Sequence, residues 1–464
     1  MKINIANNEK IHFIGIGGIG MSGLALIMKD LGFNIKGSDQ QNSKNIERLK
    51  KNKIKVLIGH KKTNLLNATM VVVSSAIKKN NPEYLLAKKK KIPIYKRGEM
   101  LANVVSLYKN IVVAGSHGKT TTTSLIANIF IKAKLDPTYI IGGRILGRED
   151  HSILGSSEYL IVEADESDAS FLHLSPEVSV ITNVDNDHLD FYENNLEKLS
   201  KTFHQFLENL PFYGTAIICT DDDKGHELFS NLSRPKISYG FNKSADYFLK
   251  DLKQNTNYQE FTLVRNLVGK EVKIQLKIAG RHNALNATAA YIVAKEAGIT
   301  TKIIKDSLKS FSGVSRRLEF KGELNIGDNK VKLLDDYGHH PTEISATIEA
   351  IRSSHKNKNI NMIFQPHRYS RSYRLFDDFI DSLSLVDKII ILDIYSAGEQ
   401  NTQEISSYDF VNSLIKKGKK AFFAKNMEEI SLLLESEVKN NEILVTQGAG
   451  NIVETSNSLL AKYK

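Results

Sequence analysis

The sequence predicts an α/β protein of three domains, and three observations support this fold class. Short β-branched and aliphatic runs recur along the chain, each followed by a glycine-rich or polar turn and then by a helical pattern. Three runs between residues 245 and 278 instead alternate apolar and polar residues, which is typical of antiparallel strands. The 464 residues are enough for several domains, since one domain takes about 150 residues. We expect domains over residues 1–107, 108–317 and 318–464.

Composition and charge exclude several classes of protein. No apolar run approaches the roughly 20 residues that span a bilayer, so we expect no membrane partner. The single cysteine, Cys219, excludes an internal disulfide, and the expected location is cytoplasmic. The net charge of +11 is spread along the chain without interleaved aromatic residues, so we expect no nucleic-acid partner. A basic excess also suits phosphorylated or carboxylated substrates.

The strongest motif is a phosphate loop within residues 110–130, NIVVAGSHGKTTTTSLIANIF. A β-branched strand leads into a glycine turn and then a helix, whose first N–H groups can bind a phosphate. Lys119 would reach the β- and γ-phosphates of a nucleotide, and the Thr120 hydroxyl would ligate Mg²⁺. The loop is shorter than the usual pattern, because Val113 stands at the first glycine position. The predicted nucleotide-binding residues are Gly115, Ser116, His117, Gly118, Lys119, Thr120 and Thr121.

Polar residues follow the next two predicted strands of this region. Glu163 ends the strand at 159–162, and a carboxylate there can hold Mg²⁺ opposite the phosphate loop. His188 lies among carboxylates after the strand at 178–182, a position that suits metal or phosphate contact. Asn283 and Asn286 lie three residues apart on a predicted helix and could read adenine, although asparagine at a helix start usually caps it.

The first domain carries a second glycine motif. The predicted strand at 11–14 leads into GIGGIG, which fits G-x-G-x-x-G, and the next strand ends in Ser38 and Asp39. These residues alone leave the nucleotide open, and an NAD-dependent oxidoreductase is one possibility. The predicted ligand-binding residues here are Gly15, Gly17, Gly18, Gly20, Ser38, Asp39 and Ser75.

In the third domain, predicted strands also end in polar segments. The strand at 331–334 leads into DDYGHHPTE and the strand at 361–364 into QPHRYSR, as in the ligand crevice of an open α/β sheet. The adjacent His339 and His340 form a poor zinc site, since neighbouring residues cannot easily converge on one ion. Residues 312–317 are the predicted hinge before this domain.

Together the motifs resemble those of the Mur ligase family, ATP-dependent amide-forming enzymes of peptidoglycan synthesis. GSHGKTTT, EADESD, NVDNDHLD and GRHNALN stand in the order of that family's central-domain motifs. GIGGIGMSGLA, SGVSRRLEF, DDYGHHPTE and QPHRYSR resemble the members that join L-alanine to UDP-N-acetylmuramate. Members that attach a ready-made tripeptide to the same sugar nucleotide are the alternative.

The resemblance implies a fold, cofactors and residue roles. It implies Rossmann-like first and third domains around a central P-loop-type mononucleotide-binding sheet with extra antiparallel strands, and a first glycine turn that binds UDP rather than NAD. ATP and Mg²⁺ are the implied cofactors, and a monomer or weak homodimer is expected. By resemblance Lys119 contacts the ATP phosphates, Thr120, Glu163 and His188 hold the metal, and Asn283 and Asn286 face adenine. The implied carboxylate and amino-acid site comprises Arg317, Asp336, Tyr337, His339, Arg368 and Arg371, with Asp336 also counted as cofactor-binding and Lys119, His188, Arg317, His339, Arg368 and Arg371 as catalytic.

Overall fold

The structure is a computed structural model that describes residues 9–148, 152–167, 169–187, 189–193 and 195–464. Contacts between residues divide the chain into two compact units. The first unit comprises Met1–Leu249, Val264–Lys270 and Leu285–Ser307, and the second comprises Lys250–Leu263, Glu271–Ala284 and Leu308–Lys464. Three sheets with flanking helices confirm the predicted α/β class. The domain boundaries given above stay predictions.

The first sheet is parallel and has the strand order β3-β2-β1-β4-β5. Its elements are β1 (Lys10–Ile14), α1 (Ile19–Asp30), β2 (Asn34–Asp39), α2 (Lys44–Lys51), β3 (Lys55–Ile58), β4 (Met70–Val73), α3 (Pro82–Lys89), β5 (Ile94–Lys96) and α4 (Arg97–Val105). The order reverses at β1, so a crevice opens beyond the carboxyl ends of β1 and β4. The glycine turn at 15–20 follows β1, which confirms the predicted Rossmann-like start.

Within the described residues, the second sheet has ten strands in the order β15-β14-β13-β12-β11-β10-β6-β9-β7-β8. Its strands are β6 (Lys109–Ala114), β7 (Thr138–Ile140), β8 (Ser152–Ile153), β9 (Tyr159–Glu163), β10 (Val178–Ile181), β11 (Thr215–Cys219), β12 (Lys236–Gly240), β13 (Tyr247–Gln254), β14 (Gln259–Arg265) and β15 (Lys270–Leu276). Its helices are α5 (Lys119–Lys132), α6 (Leu196–Glu208), α7 (Asp223–Asn231), α8 (Arg281–Glu296) and α9 (Thr301–Ser310). β6 pairs in parallel with β9 and β10, so the segments after these three strands leave one edge of the sheet.

The third sheet has the order β16-β17-β21-β18-β19-β20. Its elements are β16 (Glu319–Ile326), β17 (Asn329–Asp336), α10 (Pro341–Ser354), β18 (Ile360–Phe364), α11 (Tyr369–Arg374), α12 (Phe376–Leu383), β19 (Lys388–Ile391), α13 (Ser407–Lys416), β20 (Lys420–Phe423), α14 (Met427–Glu437), β21 (Ile443–Gln447) and α15 (Ile452–Tyr463). β16 pairs antiparallel with β17, and the other pairs are parallel. Sequence analysis did not predict β16, because Gly322 at a register shift interrupts its alternation.

Buried side chains form continuous cores inside each unit. One cluster in the first unit runs from Ile11 to Leu232 and so includes residues of both the first and the second sheet. In the second unit, two clusters pack against the third sheet, one around Phe364 and Phe379 and one around Leu444 and Leu459. Among the described residues, no helix combines the length and apolar character that crossing a bilayer requires.

Candidate active site

The phosphate loop between β6 and α5 has backbone conformations that require glycine. Gly115 has a φ of +129°, and a Cβ there would lie 2.1 Å from the Thr182 hydroxyl. Gly118 has a φ of +81°, and a Cβ there would lie 2.7 Å from Oδ1 of Asn286. At both positions, glycine permits a backbone conformation with positive φ and also leaves room for a neighbouring residue. Asn286 lies against the loop where the sequence predicts a nucleotide contact.

The segment after β10 holds the phosphate loop in place. Asn183 Oδ1 accepts from the His117 N–H at 2.9 Å, and the Thr182 hydroxyl donates to the His117 carbonyl at 2.6 Å. The Ser116 hydroxyl accepts from the Asp185 N–H at 2.9 Å. Asp185 also lies 2.9 Å from Nε2 of His117. Sequence analysis predicted a ligand site in this segment, but these contacts show that it also supports the loop.

Lys119 lies at the end of the loop, and its ammonium group is surrounded by oxygen atoms. Its Nζ donates to the carbonyls of Gly115 at 2.6 Å and Ser116 at 3.0 Å. It also lies 3.0 Å and 2.8 Å from the two carboxylate oxygens of Glu166, whose side chain is fully buried. The loop after β9 thus supplies a counter-ion for the lysine, and sequence analysis did not single out Glu166.

The Lys119–Glu166 pair has unusual proton equilibria. Burial raises the pKa of Glu166 from 4.5 to about 7, with the nearby Lys119 acting against this rise. Burial acts against a charge on Lys119, but the Glu166 carboxylate raises the pKa of the lysine overall. Lys119 therefore stays protonated at neutral pH, while Glu166 can exchange a proton close to physiological pH.

Two of the predicted metal ligands, Thr120 and Glu163, lie on neighbouring elements of the second sheet. Thr120 lies in the first turn of α5, and Glu163 ends β9 opposite Val113 of β6. A Cβ on Gly142 would lie 2.0 Å from Oε1 of Glu163, so a side chain there would displace that carboxylate. His188 lies outside the described residues.

The first-domain turn is tied to the end of β2. The N–H groups of Gly15 and Ile16 donate to the Ser38 carbonyl, and the Gly17 N–H donates to the Asp39 carboxylate at 2.8 Å. In a dinucleotide-binding domain, the carboxylate at this position binds a ribose hydroxyl. Here the Asp39 carboxylate instead accepts a hydrogen bond from the glycine turn. Ser75 is exposed after β4.

Ser38 itself is buried in a polar network. Its hydroxyl donates to Oε2 of Glu83 at 2.6 Å and lies 3.1 Å from Nδ1 of His60. His12 Nε2 lies 3.0 Å from the same Glu83 carboxylate, and Asn64 donates to its other oxygen at 2.5 Å. Such a network fixes the carboxyl end of β2 and leaves the Ser38 hydroxyl engaged with protein atoms.

In the second unit, Asp336 organises the turn after β17. Its Oδ1 accepts from the Gly338 N–H at 2.8 Å, Gln447 Nε2 at 3.0 Å and the Thr347 hydroxyl at 3.2 Å. Its Oδ2 accepts from the Leu318 N–H at 2.8 Å. Burial raises the pKa of this carboxyl group. Asp336 thus ties Leu318, the residue just after the predicted hinge, to the end of β17.

Two arginines flank Tyr337. The guanidinium carbons of Arg316 and Arg317 lie 5.0 Å and 5.1 Å from the centre of its ring. Arg317 Nη1 lies 3.4 Å from Glu343, which also accepts from the His339 N–H at 2.9 Å. The structure therefore brings Arg317, Tyr337 and His339 together, and their role in binding substrate stays a prediction.

The remaining predicted arginines follow β18, Arg368 just before α11 and Arg371 within it. Arg368 has a φ of +69°, and its Nη1 lies 3.9 Å from Oε1 of Glu399. Arg371 is buried in α11. His367 stacks on Tyr395, with ring centres 5.4 Å apart, and lies 5.5 Å from the ring of His339. The loops after β17 and β18 thus share one end of the third sheet.

Asn283 lies in the first turn of α8, where its side chain donates to the Ala279 carbonyl at 2.6 Å. This bond engages part of its amide with the backbone before the helix. The adenine contact predicted for Asn283 stays a prediction.

Family comparisons agree with this architecture. The description "Mur ligase family, catalytic domain" matches residues 10–109, "Mur ligase middle domain" matches residues 113–294, and "Mur ligase, glutamate ligase domain" matches residues 316–450. The chain belongs to the Mur ligase family. The resemblance in the sequence motifs is therefore confirmed, and so is the three-domain α/β fold.

Relatives of this Mur ligase-family chain cover nearly all of it. A UDP-N-acetylmuramate–L-alanine ligase of Pelagibacter ubique is 46% identical over 458 residues, which is 97% of the chain and 98% of that protein. The crystal structure of a UDP-N-acetylmuramate-alanine ligase from Thermotoga maritima is 27% identical, with a TM-score of 0.82 over 98% of both chains. A murein peptide ligase of Psychrobacter arcticus shares the fold at 22% identity, with a TM-score of 0.72 over 98% of both chains.

Proposed function

We propose that the chain joins L-alanine to the carboxylate of UDP-N-acetylmuramate and converts ATP to ADP and phosphate, in cytoplasmic synthesis of peptidoglycan precursors. The observation that carries this proposal is the 46% identity, across 97% of the chain, to a relative that bears the name of this activity. A phosphate loop ending in Lys119 supports it, because the reaction starts with phosphoryl transfer. We further propose that the protein is a monomer or a weak homodimer.

The chemistry explains why a nucleotide triphosphate is needed. A carboxylate is a poor electrophile at neutral pH, because it is anionic and lacks a leaving group. Transfer of the γ-phosphoryl group gives an acyl phosphate, which the neutral amine of L-alanine attacks with loss of phosphate. Lys119 would stabilise the charge on the transferring group, and the N–H groups at the start of α5 would bind phosphate oxygens.

The donor set near the phosphate loop suits Mg²⁺. Thr120 offers a hydroxyl and Glu163 a carboxylate, which are the hard oxygen ligands that this ion prefers. His188 is proposed as a further contact on the basis of the family resemblance. Bound Mg²⁺ would neutralise charge on the nucleotide phosphates.

The first-domain turn is proposed to bind the UDP part of the substrate. Its backbone stands at the start of α1, where N–H groups favour a diphosphate. The use of Asp39 to hold Gly17 supports UDP over NAD, since this carboxylate already serves the turn. Gly15, Gly17, Gly18 and Gly20, with Ser38, Asp39 and Ser75, form the proposed binding segment.

The loops of the second unit are proposed to serve the carboxylate and the amino acid. Three arginines serve this proposal, and each guanidinium can bind two oxygen atoms of one carboxylate or phosphate. They are Arg317, Arg368 and Arg371. His339 is proposed to orient or deprotonate the amine, with Tyr337 lining the same loop. Asp336 is proposed to act at this site through the turn that it fixes.

ADP release with UDP-N-acetylmuramate and a panel of amino acids tests the proposed function. L-Alanine should give the highest kcat/KM. Glycine and L-serine should still react, with a lower kcat/KM, since one methyl group is worth only about 1–3 kcal/mol of discrimination. A clear preference for the ready-made tripeptide would replace this activity with that of a recycling ligase. Titration with NADH and NADPH should show no binding, and hydride transfer would refute a ligase.

A further inference from the structure

We propose, on the basis of the function proposed above, that Arg97 binds the negatively charged part of the sugar nucleotide and directs it toward the phosphate loop. Arg97 is the first residue of α4 and belongs to the first unit, together with the glycine turn and the phosphate loop. None of the sequence motifs contains it. Its ligand class is an anion with oxygen atoms, either the diphosphate or the carboxylate of the substrate.

The Arg97 side chain lies beside the glycine turn. A Cβ placed on Gly20 would come within 3.3 Å of Nη1 and 3.4 Å of Cδ of Arg97. The Arg97 side chain therefore lies close against the start of α1 at Gly20. Gly20 belongs to the first turn of α1, at the end where backbone N–H groups favour a phosphate.

The same side chain faces the acidic loop of the central sheet. Arg97 Nη2 lies 3.8 Å from Oδ2 of Asp165, in the loop that also carries Glu166. Next to it, a Cβ on Gly98 would lie 2.6 Å from Cβ of Ser170, so α4 meets this region without room for a side chain. Tight packing at Gly98 thus fixes the helix end that carries Arg97.

This arrangement leaves Arg97 with capacity for a ligand. A separation of 3.8 Å from a carboxylate is longer than a hydrogen bond, and a guanidinium carries five N–H donors in a planar fork. The Arg97 side chain is 20% exposed, so a ligand in the crevice can reach it. Bidentate binding of phosphate or carboxylate oxygens is the chemistry for which arginine is suited.

Kinetics of Arg97→Met and Arg97→Lys in the full chain test the proposal. For Arg97→Met, KM for UDP-N-acetylmuramate should rise about tenfold or more, while KM for ATP changes little, because the loss is confined to one charge-assisted contact. Lysine should restore part of the affinity, since it supplies charge without the planar fork. An unchanged KM for the sugar nucleotide in the methionine variant would overturn the proposal.

Asp165→Asn is the matched control, because it removes the acid that faces Arg97 and keeps the arginine. It should leave KM for the sugar nucleotide within about twofold of wild type, as expected for a partly exposed ion pair of low energy. A rise equal to that of Arg97→Met would overturn the proposal, since Arg97 would then act only through its packing against the acidic loop. Thermal unfolding of all three variants identifies any that fail to fold, and Arg97→Lys keeps the test informative if methionine does so.

Two ligands separate the two possible anions. UDP-N-acetylglucosamine carries the diphosphate but no carboxylate, so its inhibition constant should rise in Arg97→Met if Arg97 binds the diphosphate. If only UDP-N-acetylmuramate binds more weakly, Arg97 binds the carboxylate. Calorimetric titration of both ligands measures this without turnover. A wild-type protein that binds UDP-N-acetylmuramate but forms no amide would contradict the proposed function and leave the assignment of Arg97 standing.

Discussion

The Lys119–Glu166 pair shows how one buried carboxylate can control a phosphate-binding lysine. The ammonium group lies within 3.0 Å of both oxygens of Glu166, so ionised Glu166 competes with nucleotide phosphates for the same cation. Asp165 is a second acid that acts on Lys119. Because burial raises the pKa of Glu166 to about 7, this competition should strengthen as the pH rises through neutrality.

Replacing Glu166 with glutamine tests this competition. We expect KM for ATP in Glu166→Gln to fall about fivefold at pH 8, equivalent to ~1 kcal/mol, because the neutral amide attracts the ammonium group less strongly. Below pH 6 the wild-type carboxyl group is itself protonated and neutral, so the two proteins should converge. The measurement is KM for ATP against pH in both proteins, and the ratio cancels the titration of ATP itself. A ratio that does not change between pH 6 and pH 8 would contradict the assigned proton equilibrium.

At the scale of a structural element, the glycines of the phosphate loop combine two requirements. Gly118 has a φ of +81° and also lies against Asn286, whereas Gly298 has a φ of +77° and no atom within 4 Å of the position that a Cβ would take. Alanine at either position costs about 1 kcal/mol of backbone strain. Only at Gly118 does alanine also meet a neighbouring side chain.

Gly118→Ala should therefore lower kcat/KM for ATP roughly 100-fold, because a shift of about 1 Å in the loop misplaces Lys119 and the backbone donors. Gly298→Ala is the control for backbone strain alone, and it should keep nearly wild-type activity. Steady-state kinetics and thermal unfolding of both variants make the comparison. Equal activities at matched stability would show that the contact with Asn286 does not hold the loop.

The sequence predicts those elements whose pattern lies within one short, continuous segment. The strand, glycine turn and helix around Lys119 lie within one short segment, and the polar ends of β9, β10, β17 and β18 follow directly from buried strands. Contacts between segments far apart in the chain have no local sequence pattern from which to predict them. Glu166 is one of four acids in EADESD, and nothing in their spacing indicates which of them meets Lys119.

The same limit applies to residues that support the candidate site. Asp336 was predicted from the motif DDYGHHPTE, but its bonds to Leu318, Thr347 and Gln447 depend on the packing of segments far apart in the chain. Arg97 meets Gly20 and Asp165 only because α4 begins beside both segments. Local patterns therefore predict where ligands bind, while tertiary packing decides which neighbouring charge supports each residue.

For the whole molecule, the proposed partial reactions are carried by different parts of the chain. The phosphate loop and the glycine turn belong to the first unit, whereas Tyr337, His339 and Arg368 belong to the second. If His339 of the second unit serves the amine, it can be changed without preventing activation of the carboxylate. Phosphoryl transfer and amide formation should then be separable by mutation.

Hydroxylamine trapping in the full-length protein tests this separation. With ATP and UDP-N-acetylmuramate but no L-alanine, the acyl phosphate should react with hydroxylamine and give a hydroxamate. His339→Asn should retain most of the hydroxamate yield and lose amide formation at least about tenfold, because general-base assistance contributes roughly 10²–10⁴-fold where it operates. Lys119→Ala should lose both reactions by about two orders of magnitude, since it removes a cation from the transferring phosphoryl group. Parallel loss of both products in His339→Asn would instead place this histidine in the phosphoryl-transfer step, and no hydroxamate from the wild-type protein would exclude a free acyl phosphate.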